Sequence, residues 1–148
     1  MSESLPRAVR DGCMLRRAMN WLVRFAMRAM LPRAAGLPGV EDTGLREFVP
    51  RLRRECAWLF WAGVVLGSVV FQLTPLFTIL VPLPACLLTR RALDRHAAKL
   101  ASHPLYFLRS PMMLIKVAAG YCWGAHADVR KLIGVSPYPA DPDEWRTR

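Results

Sequence analysis

Residues Cys56 to Leu88 read CAWLFWAGVVLGSVVFQLTPLFTILVPLPACLL, and no Asp, Glu, Lys, Arg or His interrupts them. An uncharged run of this length is the mark of chain that meets lipid, because charged side chains are costly in hydrocarbon. One straight helix over the whole run would measure about 50 Å at 1.5 Å per residue, well beyond a hydrocarbon core of about 30 Å. A break is therefore expected, and Gln72-Leu73-Thr74-Pro75 supplies it, with Thr74 capping a new helix and Pro75 in its first turn. The pattern predicts a hydrophobic helical hairpin with limbs at about Cys56 to Phe71 and Pro75 to Leu88, the second bent at Pro82 and Pro84. Each limb is slightly short for a transmembrane helix that crosses fully, so tilt, bilayer thinning or shallow insertion is expected.

The flanks orient this hairpin. Arg51, Arg53 and Arg54 precede it, and Arg90, Arg91 and Arg95 follow it. Basic clusters favour the cytoplasmic side, which puts both flanks, and with them the termini, on that side of a membrane. Trp58 and Trp61 beside the first cluster match the interfacial placement of aromatic rings, so Trp58, Trp61, Arg53, Arg54, Arg90 and Arg91 are the expected membrane-interface residues. Gly63 and Gly67 have the small-xxx-small spacing that lets another backbone approach closely, either the second limb of the hairpin or another copy.

Composition agrees. Of the 148 residues 53% are hydrophobic, and 21 Lys and Arg oppose 11 Asp and Glu for a net charge of +10. A mean hydropathy of +0.20 is high for a soluble domain of this length, so apolar surface is expected to meet lipid or a protein partner. The positive charge suits anionic headgroups or an acidic partner. Nucleic acid is not expected, since the basic residues flank hydrophobic runs and no nucleic-acid-binding signature is present. The N-terminal region lacks a secretory signal, because Arg24 and Arg28 break its apolar stretch. Cys13, Cys56, Cys86 and Cys122 form no Cys-x-x-Cys pair, so neither a disulfide framework nor a structural zinc site is implied.

The rest of the chain reads as helices, giving an all-α class of membrane-associated helices with amphipathic flanks. After a frayed start to Gly12, a helix is predicted from Cys13 to Leu31. Arg17, Arg24 and Arg28 lie on one side of it, and Leu15, Met19, Leu22, Ala26 and Met30 on another. It is either an interfacial amphipathic helix or a surface helix packed on the rest of the protein. Pro32, Gly36, Pro38 and Gly39 form a linker, Glu41 to Glu55 is a polar helix interrupted at Pro50, and Arg90 to Ala101 is another polar helix. From His103 to Trp123 a kinked helix or two short ones are predicted around Ser110-Pro111. Arg109 and Lys116 share one face there, while Leu105, Leu108, Met112, Ile115 and Ala119 line another. Ala127 to Ile133 is a last helix closed by Gly134, followed by a Pro-rich tail. Three segments result: 1–40, a basic amphipathic helix and linker; 41–101, the hairpin with polar flanking helices; 102–148, a C-terminal helical region and tail.

Candidate chemistry is sparse. His96 and His103 are seven apart and Cys122 and His126 four apart, which allows a ligand pair on a helix face, but a zinc site needs three or four ligands. Asp94 and Asp128 add no supporting pattern, so no metal or cofactor is implied and these histidines are expected at the surface. Phosphate-binding loops, zinc-protease motifs and nucleophile elbows are absent, and no catalytic residue is assigned. Cys56 and Cys86 lie near the ends of the hairpin, where inert thiols are the expectation. Tyr121, Trp123, Tyr138 and Trp145, interspersed with cations, are the expected partner-binding residues, since aromatic and Arg side chains are the usual anchors of interfaces.

The stretch from His103-Pro-Leu-Tyr-Phe-Leu-Arg-Ser-Pro111 through Met113-Leu-Ile-Lys116 and Gly120-Tyr121 to Ala127-Asp-Val-Arg-Lys-Leu-Ile-Gly134 resembles the C-terminal part of the small-subunit family of gluconate 2-dehydrogenase. The resemblance covers the last third of the chain. It implies a non-catalytic companion of a flavin-dependent oxidoreductase, with the flavin chemistry on a larger subunit. The expected function is thus a membrane-associated accessory or anchoring subunit of a flavoprotein dehydrogenase; the alternative is a self-contained membrane-binding or scaffold protein without an enzyme partner.

Overall fold

The computed structural model describes residues 7–136, with side chains from residue 12 onward. Among these residues the elements are helical, and the sole β-type pairing is an isolated bridge between Ala34 and Leu37. The order is α1 (Arg7–Met30), α2 (Leu45–Glu55), α3 (Trp58–Leu73), α4 (Pro75–Ile79), α5 (Arg90–Ala101), α6 (Tyr106–Ala125) and α7 (Ala127–Leu132). Short 3-10 turns at Val40–Asp42 and Ala85–Leu87 complete it. The all-α expectation holds.

The core forms where α3 and α6 pack side by side and α1 lies across both. Val64 and Phe71 of α3, Met112, Ile115, Ala118 and Ala119 of α6, and Val23, Ala26 and Met27 of α1 are all but closed to solvent. These positions recur at three- and four-residue spacing on each helix, as a buried stripe requires. The pair α3 and α6 is antiparallel. A Cβ on Gly63 would lie 2.7 Å from Leu114 Cδ1, and one on Gly67 would lie 2.8 Å from the Pro111 carbonyl oxygen. The small-residue spacing thus serves a close helix approach, and the neighbour is α6 of the same chain.

Several expectations are corrected here. The second limb of the hairpin is not a continuous helix. After five residues α4 stops at Leu80, which adopts a left-handed backbone (φ 58°, ψ 32°), and Val81 to Pro84 runs on without regular structure into the 3-10 turn. Pro82 and Pro84 lack the N–H that a helix interior needs, so they end the limb instead of bending it. The transmembrane expectation is not met either, because among the described residues no helix is long and apolar enough to cross a membrane.

Helix α1 begins at Arg7, before the Cys13 expected, since Arg7, Ala8 and Arg10 are good helix formers and one glycine at position 12 costs only about 1 kcal/mol. Its second half packs on the core, while Cys13 to Ala18 stay exposed. Pro50 does not interrupt α2, nor Pro111 α6; each helix runs through its proline.

Candidate functional site

The outer side of the α3–α6 pair carries the most unusual surface of the molecule. Along α3 the exposed side chains are Leu59, Leu66, Val69 and Leu73, with Trp58 78% exposed at the start. Along α6 they are Met113, Val117 and Tyr121. The α3 stripe lies beside the positions that touch α6, Gly63 and Gly67, and turns away from Val64 and Phe71, which face the core. The α6 stripe adjoins Leu114 and Pro111, which touch α3. With α1 beneath both helices, the two stripes join into one apolar face. Patches of this extent are rare on monomeric soluble proteins and mark interaction surfaces.

One end of the face is a tongue running from Pro75 to Leu87. Phe77 is 76% exposed and Leu80 83%, and Leu76, Leu83 and Leu87 are exposed too. Antiparallel packing brings the start of α6, with exposed Leu105, Tyr106 and Phe107, toward the same end as Leu73. A groove of about 430 Å³ between Gln72, Leu73, Leu76, Pro82, Leu83 and Pro84 separates the tongue from the end of α3.

Cations border this face. Exposed Arg109 and Lys116 lie seven residues apart on α6, and Lys116 also lines a groove with Ala29, Met30 and Ala97. That contact puts the charged edge of α6 on its α1–α5 side, away from α3. Arg54 is exposed and Arg53 half-buried at the end of α2, just before Trp58, and Arg90 and Arg91 are exposed at the start of α5. A second cationic region has a different location, along α1. Arg24, Arg28 and Arg46 share a cleft with Trp21 and Glu41, and a smaller cavity of about 300 Å³ holds Arg28 and Arg90 above Phe25, Leu31 and Leu93. The loop after α1 is pinned by a two-pronged ion pair from Arg33 to Asp42, which holds the Asp42 carboxyl below the usual range.

The expected site residues divide. Trp58 and Tyr121 lie exposed on the apolar face, whereas Trp61 is half-buried against the core. Trp123 is half-buried too, and its indole N–H donates to the Pro38 carbonyl at 2.7 Å. Tyr138 and Trp145 lie outside the described residues.

The candidate ligand pairs do not assemble. His103 sits beyond the end of α5 with its Nδ1 accepting from the Leu105 N–H, and His126 lies between α6 and α7, 4.0 Å from Asp128. Cys122 is buried against Thr43, and burial pushes its thiol up. Among the described residues no cluster of three or more His, Cys, Asp or Glu is placed to hold a metal.

His96 is not a surface histidine. It is fully buried in α5, and both ring nitrogens are engaged, Nε2 with the Phe71 carbonyl at 2.9 Å and Nδ1 with the Thr78 hydroxyl at 2.5 Å. Its ring lies 4.7 Å from that of Phe71. Burial lowers its pKa, so the neutral form is favoured: Nε2–H donates to Phe71 and Nδ1 accepts from Thr78. Its place beside Asp94 and Arg95 in a polar helix gave no hint of this; the available signal was Pro75, which leaves the Phe71 carbonyl without its helical N–H.

No protein-family model matches the chain, nor does any curated protein or solved structure.

Proposed function

We propose that this protein is a non-catalytic, membrane-associated accessory protein that lies on the bilayer through the outer face of α3 and α6. The observation that carries the reading is the joined apolar face with cations along its edges. Arg109 and Lys116 sit about a quarter turn from the centre of the apolar arc of α6, where long stems cover apolar surface and charged heads reach phosphates. Lipid is favoured over water for such a face by about 1.5–3 kcal/mol for each fully buried Leu- or Phe-sized side chain, against about 1 kcal/mol for each Lys or Arg near anionic headgroups. Apolar burial therefore dominates, and the charge excess selects an anionic surface, such as the cytoplasmic leaflet.

The test is a membrane wash. Retention through high salt and alkali supports the reading; release by salt alone, which screens charge but not apolar burial, overturns it.

The accessory role rests on the resemblance of the C-terminal third to small subunits of flavin-dependent dehydrogenases. A pull-down from mild detergent, with flavin absorbance recorded, tests it. Recovery of a flavoprotein that is lost on truncation after Gly134, with membrane retention intact, supports an accessory subunit. Membrane retention without any partner favours the self-contained membrane-binding protein.

A further inference from the structure

Resting on the membrane reading above, we propose that the tongue from Pro75 to Leu87 is the part that enters the hydrocarbon, as a wedge built of single helical turns and irregular chain, while α3 and α6 lie shallower. Irregular backbone is normally excluded from lipid because its N–H and C=O groups lose water without gaining partners. This tongue lowers that obstacle on the donor side. Pro75, Pro82 and Pro84 have no N–H to bury.

Most of the remaining donors turn inward. Phe77 and Thr78 donate to the Thr74 carbonyl, Leu80 and Val81 to that of Pro75, Leu87 to Pro84 and Leu88 to Ala85. Cys86 has no backbone acceptor in this set, and its N–H is taken at 3.0 Å by the side-chain oxygen of buried Gln72. The hydroxyls behave likewise, since Ser68 and Thr74 each donate to the carbonyl four residues earlier and Thr78 donates to His96 Nδ1.

A loop built for water has no need of such internal pairing, and it does not present Phe77, Leu80 and Leu87 outward. The helix ends here add a second indication. Leu80 occupies a left-handed backbone position where glycine is the usual residue, so an exposed leucine is held there against its conformational preference. Hydrocarbon is the occupant this surface fits: it takes apolar side chains and offers no hydrogen bond, and the tongue keeps most of its N–H donors paired within the fold.

The experiment measures depth. Phe77→Cys and Val117→Cys variants, each with Cys13, Cys56 and Cys86 changed to Ser and buried Cys122 retained, carry an environment-sensitive fluorophore. They are bound to phosphatidylcholine–phosphatidylglycerol vesicles containing nitroxide lipids with either a shallow or a deep quencher. The label at position 77 is expected to be quenched more by the deep nitroxide, and the label at 117 more by the shallow one. If Phe77→Cys does not fold, as judged by helicity, Leu87→Cys carries the same comparison. In parallel Leu80→Asp lowers vesicle partition about tenfold or more, while Leu37→Asp, on a loop away from the face, leaves it unchanged. Binding of the parent protein with a tongue label no deeper than that at 117, or with Leu80→Asp inert, overturns the wedge alone. Failure of the parent protein to bind vesicles overturns the membrane reading with it.

Discussion

His96 and Pro75 should be energetically coupled, although they lie on different elements. Pro75 has no N–H, so the Phe71 carbonyl one turn earlier loses its helical partner. Phe71 is fully buried, and water does not replace the lost donor; His96 Nε2–H does, at 2.9 Å. Replacing His96 by alanine strands the carbonyl, at about 1–3 kcal/mol, and removes the ring contact with Phe71, at about 0.5–1.5 kcal/mol. A total loss of about 3 kcal/mol is expected, a large share of the stability of a domain this size. Pro75→Ala alone restores a backbone N–H at the right position but opens a small void, for a cost of about 1 kcal/mol.

In the double variant the new N–H serves the carbonyl that His96 has abandoned. The two losses should therefore fall short of additivity by about 1–2 kcal/mol. The assay is urea or thermal unfolding followed by helicity in a mild detergent, for the parent and the three variants. Additivity within about 0.5 kcal/mol, or a His96→Ala loss under about 1 kcal/mol, would refute the reasoning.

The same histidine sets a pH dependence. Burial lowers its folded pKa from the ordinary value of 6.5, so above that value both folded and unfolded forms are neutral and its contribution is complete. As pH falls below 6.5 the unfolded chain takes a proton that the folded chain refuses, and stability drops until the folded pKa is reached. The parent protein should lose stability in this window, and His96→Gln should lose less.

Further predictions concern the packing and the face. Gly67→Ala pushes a Cβ toward the Pro111 carbonyl at 2.8 Å and should cost about 1–3 kcal/mol, whereas Gly63→Ala meets only the end of Leu114 and should cost less; equal shifts in unfolding temperature would refute the α3–α6 contact. Leu80→Gly relieves a left-handed leucine and should raise stability by about 1 kcal/mol while weakening vesicle binding. Movement of both measures in one direction would contradict that assignment. Trp123→Phe keeps the packing and loses the bond to Pro38, so stability should fall by about 1 kcal/mol with partner recovery unchanged, while Tyr121→Ala lowers recovery; the opposite pattern in the pull-down would reverse the roles of the two aromatics.

What could be read in the sequence was local. The uncharged run, its break at Thr74 and Pro75, the polar helix Arg90 to Ala101 and the terminal helix closed by Gly134 all follow from periodicity and turn chemistry. The identity of the helix beside Gly63 and Gly67 did not, because small-residue spacing announces a close neighbour without naming it. Sequence proximity favoured the adjacent limb, yet Pro82 and Pro84 had already removed that limb as a helix. Of the interface aromatics, Trp58 and Trp61 look alike in the sequence, yet Trp58 stands exposed at the first residue of α3 and Trp61, one turn further along, packs against the core.

Three helix-associated prolines show how the fold and its surface are linked. Pro50 and Pro111 each deprive the residue four positions back of its helical N–H, but those residues, Arg46 and Phe107, are exposed and their helices continue. Pro75 does the same to Phe71 in the core, where no exposed surface relieves it, and the chain answers with a buried histidine from α5. That histidine also holds the Thr78 hydroxyl, and Lys99 of the same helix donates to the Thr78 carbonyl at 3.0 Å. Helix α5 thereby clamps α4 from its inner side. With α4 held from within, Phe77 and Leu80 project outward, so the proline that breaks the long apolar run is also the reason its tip has a fixed orientation.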